Sequence, residues 1–185
     1  MKILVAYATC HGSTAEIAQR IAGRLRACGD TVDCQSMTDL DTPEGYEAAV
    51  LGSPIHDQAW LPEATGFLAR FGPTLGRRPV WLFSVGMTGA LPGRLQGWAM
   101  QEEGQMAAKL SSLIQSRGHR LFSGVILKEH LTPGGRTKFR LMGGRYGDFR
   151  DLTAIEAWAD SVADALHPGG QPSSDSGSPV PREAS

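Results

Sequence analysis

The fold is decided by MKILVAYATCHGSTAEIAQRIAGRL, residues 1–25. The stretch begins with an apolar run, residues 3–8, that does not alternate with polar residues, as expected of a central parallel strand covered on both faces. A polar turn, residues 9–14, follows, and beyond it apolar residues recur at helical spacing as far as Leu25. Gly29 ends the predicted helix. The order of strand, hydroxyl-rich turn and helix predicts an anion-binding site where the helix begins.

The turn after the first strand has the features of a phosphate site. The start of a helix presents unpaired N–H groups and the positive end of its dipole, and Gly12 allows the backbone to approach a ligand closely. Thr9, Ser13 and Thr14 add hydroxyl donors. Because the turn has no lysine and lacks the spaced glycines of a dinucleotide fingerprint, it favours a terminal monophosphate. The alternative is an ordinary capped helix, since Ser13 and Glu16 match a capping box.

Length and composition limit the classes of protein that fit. A chain of 185 residues with 41% hydrophobic content is large enough for one domain with a full core. Its net charge of −1, without a basic run between aromatic residues, argues against nucleic-acid binding. Cys10, Cys28 and Cys34 lack metal-ligand spacing and are expected to be reduced thiols of a cytoplasmic protein. The sequence has no apolar span of bilayer length and no metal-binding motif.

Strand and helix patterns alternate along the rest of the chain. This alternation predicts an α/β sandwich around a parallel sheet with right-handed crossovers. The further strands are predicted at residues 31–37, 46–51, 79–85 and 120–127, and the further helices at 61–71, 101–115 and 152–166. The domain is therefore predicted to span residues 1–166. Residues 167–185 are rich in Gly, Pro, Ser and Asp and are predicted to form a disordered tail.

The pattern of Thr9, Gly12 and Thr14 directly after the first strand resembles the phosphate loop of the flavodoxin family, whose members bind flavin mononucleotide (FMN). Family members usually carry threonine where this chain has His11. Within the superfamily the chain is similar to quinone-dependent protoporphyrinogen oxidases and to related bacterial flavodoxin-domain proteins. The resemblance implies a flavodoxin-like three-layer α/β sandwich with a five-stranded parallel sheet in the order 2-1-3-4-5. Ligands of such sheets bind at the carboxyl ends of the strands, beside the point where the strand order reverses.

The resemblance also implies which loops hold FMN. The phosphate loop lies beside the loops that follow the third and fourth strands, and these two loops hold the flavin ring in the family. Thr88 and Gly89 are expected to offer backbone N–H groups to the ring. The predicted cofactor site comprises Thr9, Cys10, His11, Gly12, Ser13, Thr14, Ser53, Pro54, Ile55, His56, Trp60, Val85, Gly86, Met87, Thr88 and Gly89.

Three side chains of this predicted site, Trp60, His56 and Cys10, have open interpretations, and His11 has one expected role. Trp60 either stacks on the flavin or packs into the core. His56 either donates to flavin or substrate or faces solvent. His11 is expected to add charge to the phosphate site when it is protonated. Cys10 either has a lowered thiol pKa beside the helix dipole or packs beneath the loop.

The connection of residues 128–150 is unusually long, and long loops are often functional. It contains six cationic residues and only two anionic ones, with aromatic and aliphatic residues between them. One interpretation is a solvated loop that covers the edge of the sheet. The other is a docking surface for an amphipathic anionic partner: a tetrapyrrole with carboxylates, a quinone at an anionic bilayer, or an acidic redox protein.

The sequence predicts an FMN-dependent oxidoreductase or electron-transfer flavoprotein, in which the flavin performs the chemistry. The resemblance implies a quinone or small-molecule redox partner, with protoporphyrinogen as a candidate substrate. A peripheral membrane contact through residues 128–150 is consistent with that activity. The alternative is a flavodoxin-fold binding or adaptor module that has lost flavin.

Overall fold

A central parallel sheet organises the protein, for which the computed structural model describes residues 1–93, 97, 101, 105–106 and 108–168. Its five parallel strands are β1 (Lys2–Tyr7), β2 (Thr31–Ser36), β3 (Ala48–His56), β5 (Val80–Gly86) and β6 (Gly118–Ser123). A two-residue strand, β4 (Ala59–Trp60), pairs antiparallel with the end of β3. The parallel strands have the order β2-β1-β3-β5-β6, with β2 at one edge, which confirms the predicted flavodoxin-like order 2-1-3-4-5.

Helices cover both faces of the sheet and complete the three layers. Successive strand residues point to opposite faces, so Ile3 and Val5 lie in one core while Leu4 lies in the other. The labelled helices are α1 (Ser13–Ala27), α2 (Pro62–Leu75), α3 (Pro133–Leu141) and α4 (Leu152–Leu166). The first core is closed by α1 and α4, and the second by α2 together with buried Met106 and Leu110.

Two predicted element ends are wrong, because the strand and the helix continue through the glycine and proline residues that were expected to end them. The third strand does not stop at residue 51. It continues to His56, and Pro54 pairs with Val85 of β5. Similarly, α2 continues through Pro73 to Leu75, because the last turn places the Leu75 side chain in the core.

The predicted strand at residues 120–127 is two strands. The break falls at Gly124, after which β7 (Val125–Ile126) leaves the main sheet and pairs antiparallel with β8 (Gly147–Asp148). The predicted long loop is therefore a folded segment carried by this two-stranded stem, and we call residues 127–146 the strap. It contains a 3-10 turn and α3, whose first turn is capped by the Thr132 hydroxyl accepting from the Gly135 N–H at 3.2 Å.

Two predictions fall wholly or partly outside the described residues. Of the helix predicted at 101–115, residues 101, 105–106 and 108–111 are helical, and the helix ends before Leu113. Of the predicted tail, only residues 167 and 168 are described. No helix in the described ranges is long and apolar enough to cross a bilayer.

The close approach of β3 and β5 gives a test of the core. A Cβ at Gly52 would overlap the ring of Phe83, so Gly52→Ala should destabilise the protein by about 1–3 kcal/mol through overpacking. Gly66, on the exposed side of α2, has open space around its Cβ position. Gly66→Ala should therefore stabilise by about 0.5–1 kcal/mol. Urea unfolding of both variants checks the pair, and a Gly52→Ala protein of wild-type stability would contradict this packing.

Candidate functional site

A cleft of about 240 Å³ opens at the carboxyl ends of β1, β3 and β5, where the strand order reverses. The sequence placed the site at this edge of the sheet. Among the predicted site residues, the lining contains Thr9, Cys10, His11, Ser13, Thr14, Pro54, Ile55, His56, Val85, Gly86 and Met87.

The start of α1 carries no side-chain cap. Its N-cap residue is Gly12, in the left-handed conformation with φ of 87°, and the Gly12 N–H donates to the Thr9 hydroxyl at 3.0 Å. The first intrahelical bond runs from the Glu16 N–H to the Gly12 carbonyl. The N–H groups of residues 13–15 therefore lack partners within the helix and are available to an anion. The alternative interpretation, a capping box of Ser13 and Glu16, is wrong, because the helix has no side-chain cap and the Glu16 carboxylate accepts a hydrogen bond from Arg150.

Hydroxyl groups and a narrow wall complete this end of the cleft. Ser13 and Thr14 both line it, and Thr14 is almost fully buried. On the facing wall, a Cβ added at Gly124 would lie 2.7 Å from Val85 Cγ1 and 3.1 Å from Ser13 Oγ. Glycine at this position thus allows the backbone after β6 to pack closely against Val85 and Ser13 at this end of the cleft.

Two stacked histidines connect the polar turn before α1 with the strap. The rings of His11 and His130 are stacked with centroids 4.0 Å apart and planes 3° from parallel. Burial lowers the pKa of His11 from its ordinary value, and the neighbouring His130 and His56 lower it further. His11 is therefore mainly a neutral ring at neutral pH. His56 lies at the rim with an exposed side chain, and its Nδ1 is 3.3 Å from Asp57 Oδ2.

Two predicted wall residues lie in the core behind the cleft. Trp60 is 3% exposed, and its Nε1 donates to Ser84 Oγ at 2.7 Å. Of the two interpretations of Trp60, the structure shows core packing, and the stacking interpretation is wrong. Ser53 is also fully buried, and its hydroxyl accepts from the Leu61 N–H at 3.1 Å. Both side chains fix the β3–β4 hairpin and neither reaches the cleft.

The loop after β5 does not offer the predicted backbone donor. The Gly89 N–H donates to Ser123 Oγ at 2.9 Å, and the Thr88 hydroxyl is 2.9 Å from the same oxygen. These groups bind the loop to the end of β6. The expected Gly89 donor is therefore already bonded to Ser123, and neither Thr88 nor Gly89 is among the described residues that line the cleft.

The remaining lining residues are Cys10, whose position the sequence left open, and several residues that the sequence did not predict. Cys10 is exposed on the cleft and not packed beneath the loop, and all three cysteines are free. The only signals for the missed residues were the glycine after β6 and the unusual length of the following connection. The missed lining residues are Asp57, Gly124, Val125, Ile126, His130 and Leu131.

The strand order and the cleft at its reversal point define a flavodoxin-like α/β protein. The sequence matches the family model described as flavodoxin domain over residues 4–151, so the chain belongs to this family. A comparison with curated proteins gives no significant match.

Solved structures show the same fold at low sequence identity. A flavodoxin from the domain Archaea is similar at a TM-score of 0.53 and 15% identity, covering 90% of this chain and 99% of that one. A flavodoxin of Streptococcus pneumoniae gives 0.55 and 15%, covering 89% and 99%. Rubredoxin oxygen:oxidoreductase from Desulfovibrio gigas gives 0.57 and 16%, covering 90% of this chain but 36% of its own length. This chain thus spans about a third of that oxidoreductase.

The histidine stack gives a pH prediction. Since the folded-state pKa of His11 lies below its unfolded value of 6.5, the unfolded chain binds more protons, and stability should fall as pH drops through that region. Inorganic phosphate should raise the pKa of His11, because the anion favours the protonated ring. Heteronuclear NMR titration of the imidazole measures the pKa, and urea unfolding at a series of pH values measures the stability.

The matched variant is His130→Ala, which removes one cause of the lowered pKa and should raise it even without phosphate. A His11 pKa that responds neither to phosphate nor to loss of His130 would contradict the described geometry.

Proposed function

We propose that the protein binds FMN in this cleft and works as an electron-transfer flavoprotein of the oxidoreductase class. The observation that carries the proposal is the glycine-capped start of α1, whose unpaired N–H groups face a cleft lined by hydroxyls at the switch point of the sheet. Membership of the flavodoxin-domain family supports the same cofactor.

The residues of the first turn fit the phosphate of FMN. The N–H groups of residues 13–15 and the hydroxyls of Ser13 and Thr14 would donate to its oxygens. Thr9 would act indirectly, because its hydroxyl already accepts from the Gly12 N–H and so holds the turn in shape. His11 would add positive charge once the phosphate favours its protonation.

The rest of the cleft fits a flat, largely apolar ring. Pro54 and Ile55 come from the end of β3, and Val85 and Met87 from β5 and the residue after it. These side chains would exclude water from the ring and hold it flat. When bound, FMN supplies the capacity to take up and release electrons.

The charge around the cleft favours a quinone as electron acceptor. Asp57 is the one carboxylate residue among the described lining residues, and its side chain is 96% exposed, so solvent screens its charge. Negative charge that builds up on reduction would meet little repulsion, which favours a higher midpoint potential than an acidic site gives. Protoporphyrinogen as electron donor stays a prediction from the sequence resemblance, to be checked by direct assay.

A second candidate is a binding module that keeps the fold without flavin. It is favoured by the buried position of Trp60 and by the His11–His130 stack within the cleft lining. The colour of the purified protein distinguishes the two candidates. Yellow protein that releases FMN on denaturation supports the flavoprotein, whereas colourless protein that takes up no added FMN supports the module.

The phosphate assignment predicts a large difference between FMN and riboflavin. Ser13→Ala and Thr14→Val should each weaken FMN binding by about 1.5–3 kcal/mol, roughly ten- to 150-fold, because each removes a hydrogen bond to a charged group. Riboflavin, which lacks the phosphate, should bind far more weakly to the wild type and be little affected by either change. Flavin fluorescence quenching measures all of these affinities.

The control is Ser161→Ala, which deletes an exposed hydroxyl on α4 that donates to the Trp158 carbonyl. This variant should bind FMN as the wild type does. Equal affinity of the wild type for FMN and riboflavin would remove the phosphate assignment.

A further inference from the structure

We propose that the exposed face of the strap is the docking surface for an acidic redox protein that exchanges electrons with the cleft. The inference rests on the proposed function for its purpose, but the binding itself is testable without flavin. Four features of the strap lead to it: its own folded core, its place beside the cleft, its unpaired positive charge and its two exposed leucines.

The strap is a folded unit with its own core. Its stem pairs Val125 with Asp148 and Ile126 with Gly147. Phe139 of α3 is buried, with its ring 5.2 Å from that of Tyr146. A surface held in this way keeps its side chains in a fixed arrangement, as a specific docking surface requires.

The strap also lies directly beside the cleft. His130 and Leu131 belong to the cleft lining, and the His130 ring stacks on His11 of the phosphate turn. A protein bound to the outer face of the strap would therefore rest next to the proposed electron-transfer centre.

The charged side chains of the strap are mostly positive and are not paired with carboxylates in the described part of the chain. It contains five cations and one carboxylate residue, Glu129, in a chain whose net charge is −1. All five cations are exposed, and within the described ranges none forms an ion pair with a carboxylate. They are Lys128, Arg136, Lys138, Arg140 and Arg145.

Three arginines outside the strap form ion pairs. Arg20 pairs with Glu156, and Arg24 with Asp160. Arg150, counted among the loop cations in the sequence, pairs with Asp148 and Glu16. The five cations of the strap, unpaired among the described residues, lie on one segment beside the cleft, where they would steer an acidic surface into place.

The apolar part of the surface fits a protein better than a membrane. An interfacial helix inserts an apolar face into lipid, but the apolar face of α3 is used by Phe139 within the strap's own core. Leu141, 82% exposed, and Leu127 are the large apolar side chains left outside among the strap's described residues. A few exposed leucines among cations match the small, polar interfaces of transient redox complexes.

The test reverses two strap charges, with Lys138→Glu and Arg140→Glu combined in one variant. Arg136 is left unchanged because its Nε donates to the carbonyls of Lys128 and Leu131 and so holds the strap together. The matched control combines Arg77→Glu and Arg117→Glu. These exposed residues lie just before β5 and β6, at the amino ends of these strands and so away from the cleft at their carboxyl ends, and their reversal changes the net charge equally.

The probe is an oxidised acidic [2Fe–2S] ferredoxin. It is titrated into each purified protein at low and high salt, and binding is measured by calorimetry. Basic cytochrome c, a redox protein of opposite charge, is titrated in the same way as a control. The wild type should bind the ferredoxin with an affinity that falls as salt is added. The strap variant should bind about tenfold or more weakly at low salt, and the control within about twofold of the wild type. Ferredoxin binding that is unchanged in the strap variant, or tighter wild-type binding of cytochrome c, would overturn the proposal.

Two further measurements on the same samples separate this proposal from its alternatives. FMN affinity, measured in parallel, should be equal in all three proteins. If the wild type does not bind FMN, the proposed function is wrong, and calorimetry still decides whether ferredoxin docks on the strap. Vesicles of phosphatidylcholine and phosphatidylserine in equal amounts test the membrane: strap-dependent sedimentation without ferredoxin binding would overturn docking of a protein.

Discussion

The structure depends on one constraint, the unpaired N–H groups at the start of α1. Gly12 provides no side chain to satisfy them, and the Glu16 carboxylate turns away to Arg150. The helix cannot shift to relieve this, because its apolar face is locked into the sheet by Ile17 and Ile21, both fully buried. Polar groups held in this way favour a bound anion, and the cleft at the ends of β1, β3 and β5 is where that anion would lie.

The strap and its stem contact α1 and the turn before it at two points. His130 of the strap stacks on His11 of that turn, and Arg150, which follows the stem, bridges Asp148 to Glu16 of α1. These contacts place the basic surface of the strap beside the cleft. If a phosphate binds at the start of α1, its binding and docking at the strap are expected to influence each other.

The features that sequence could predict are those fixed by local pattern. The apolar run before the turn at residues 9–14 and the strand–helix alternation predicted the parallel α/β sandwich and one wall of the cleft. The strand order followed from the resemblance to the flavodoxin family. What failed depended on tertiary contacts without a local signature: Trp60 is drawn into the core by Ser84, and Gly89 gives its N–H to Ser123. The helix α3 was missed because Phe139 is its one buried residue, too little to create a helical stripe.

The central claim is that the first turn of α1 binds the phosphate of FMN, and backbone NMR tests it most directly. Adding FMN to isotopically labelled protein should move the amide proton resonances of Ser13, Thr14 and Ala15 strongly downfield, because each N–H gains a charged acceptor. Riboflavin should leave these three resonances near their starting positions even where it perturbs Ile55 and Val85. If FMN and riboflavin shift the three amides alike, or FMN leaves them unchanged, the start of α1 is not a phosphate site.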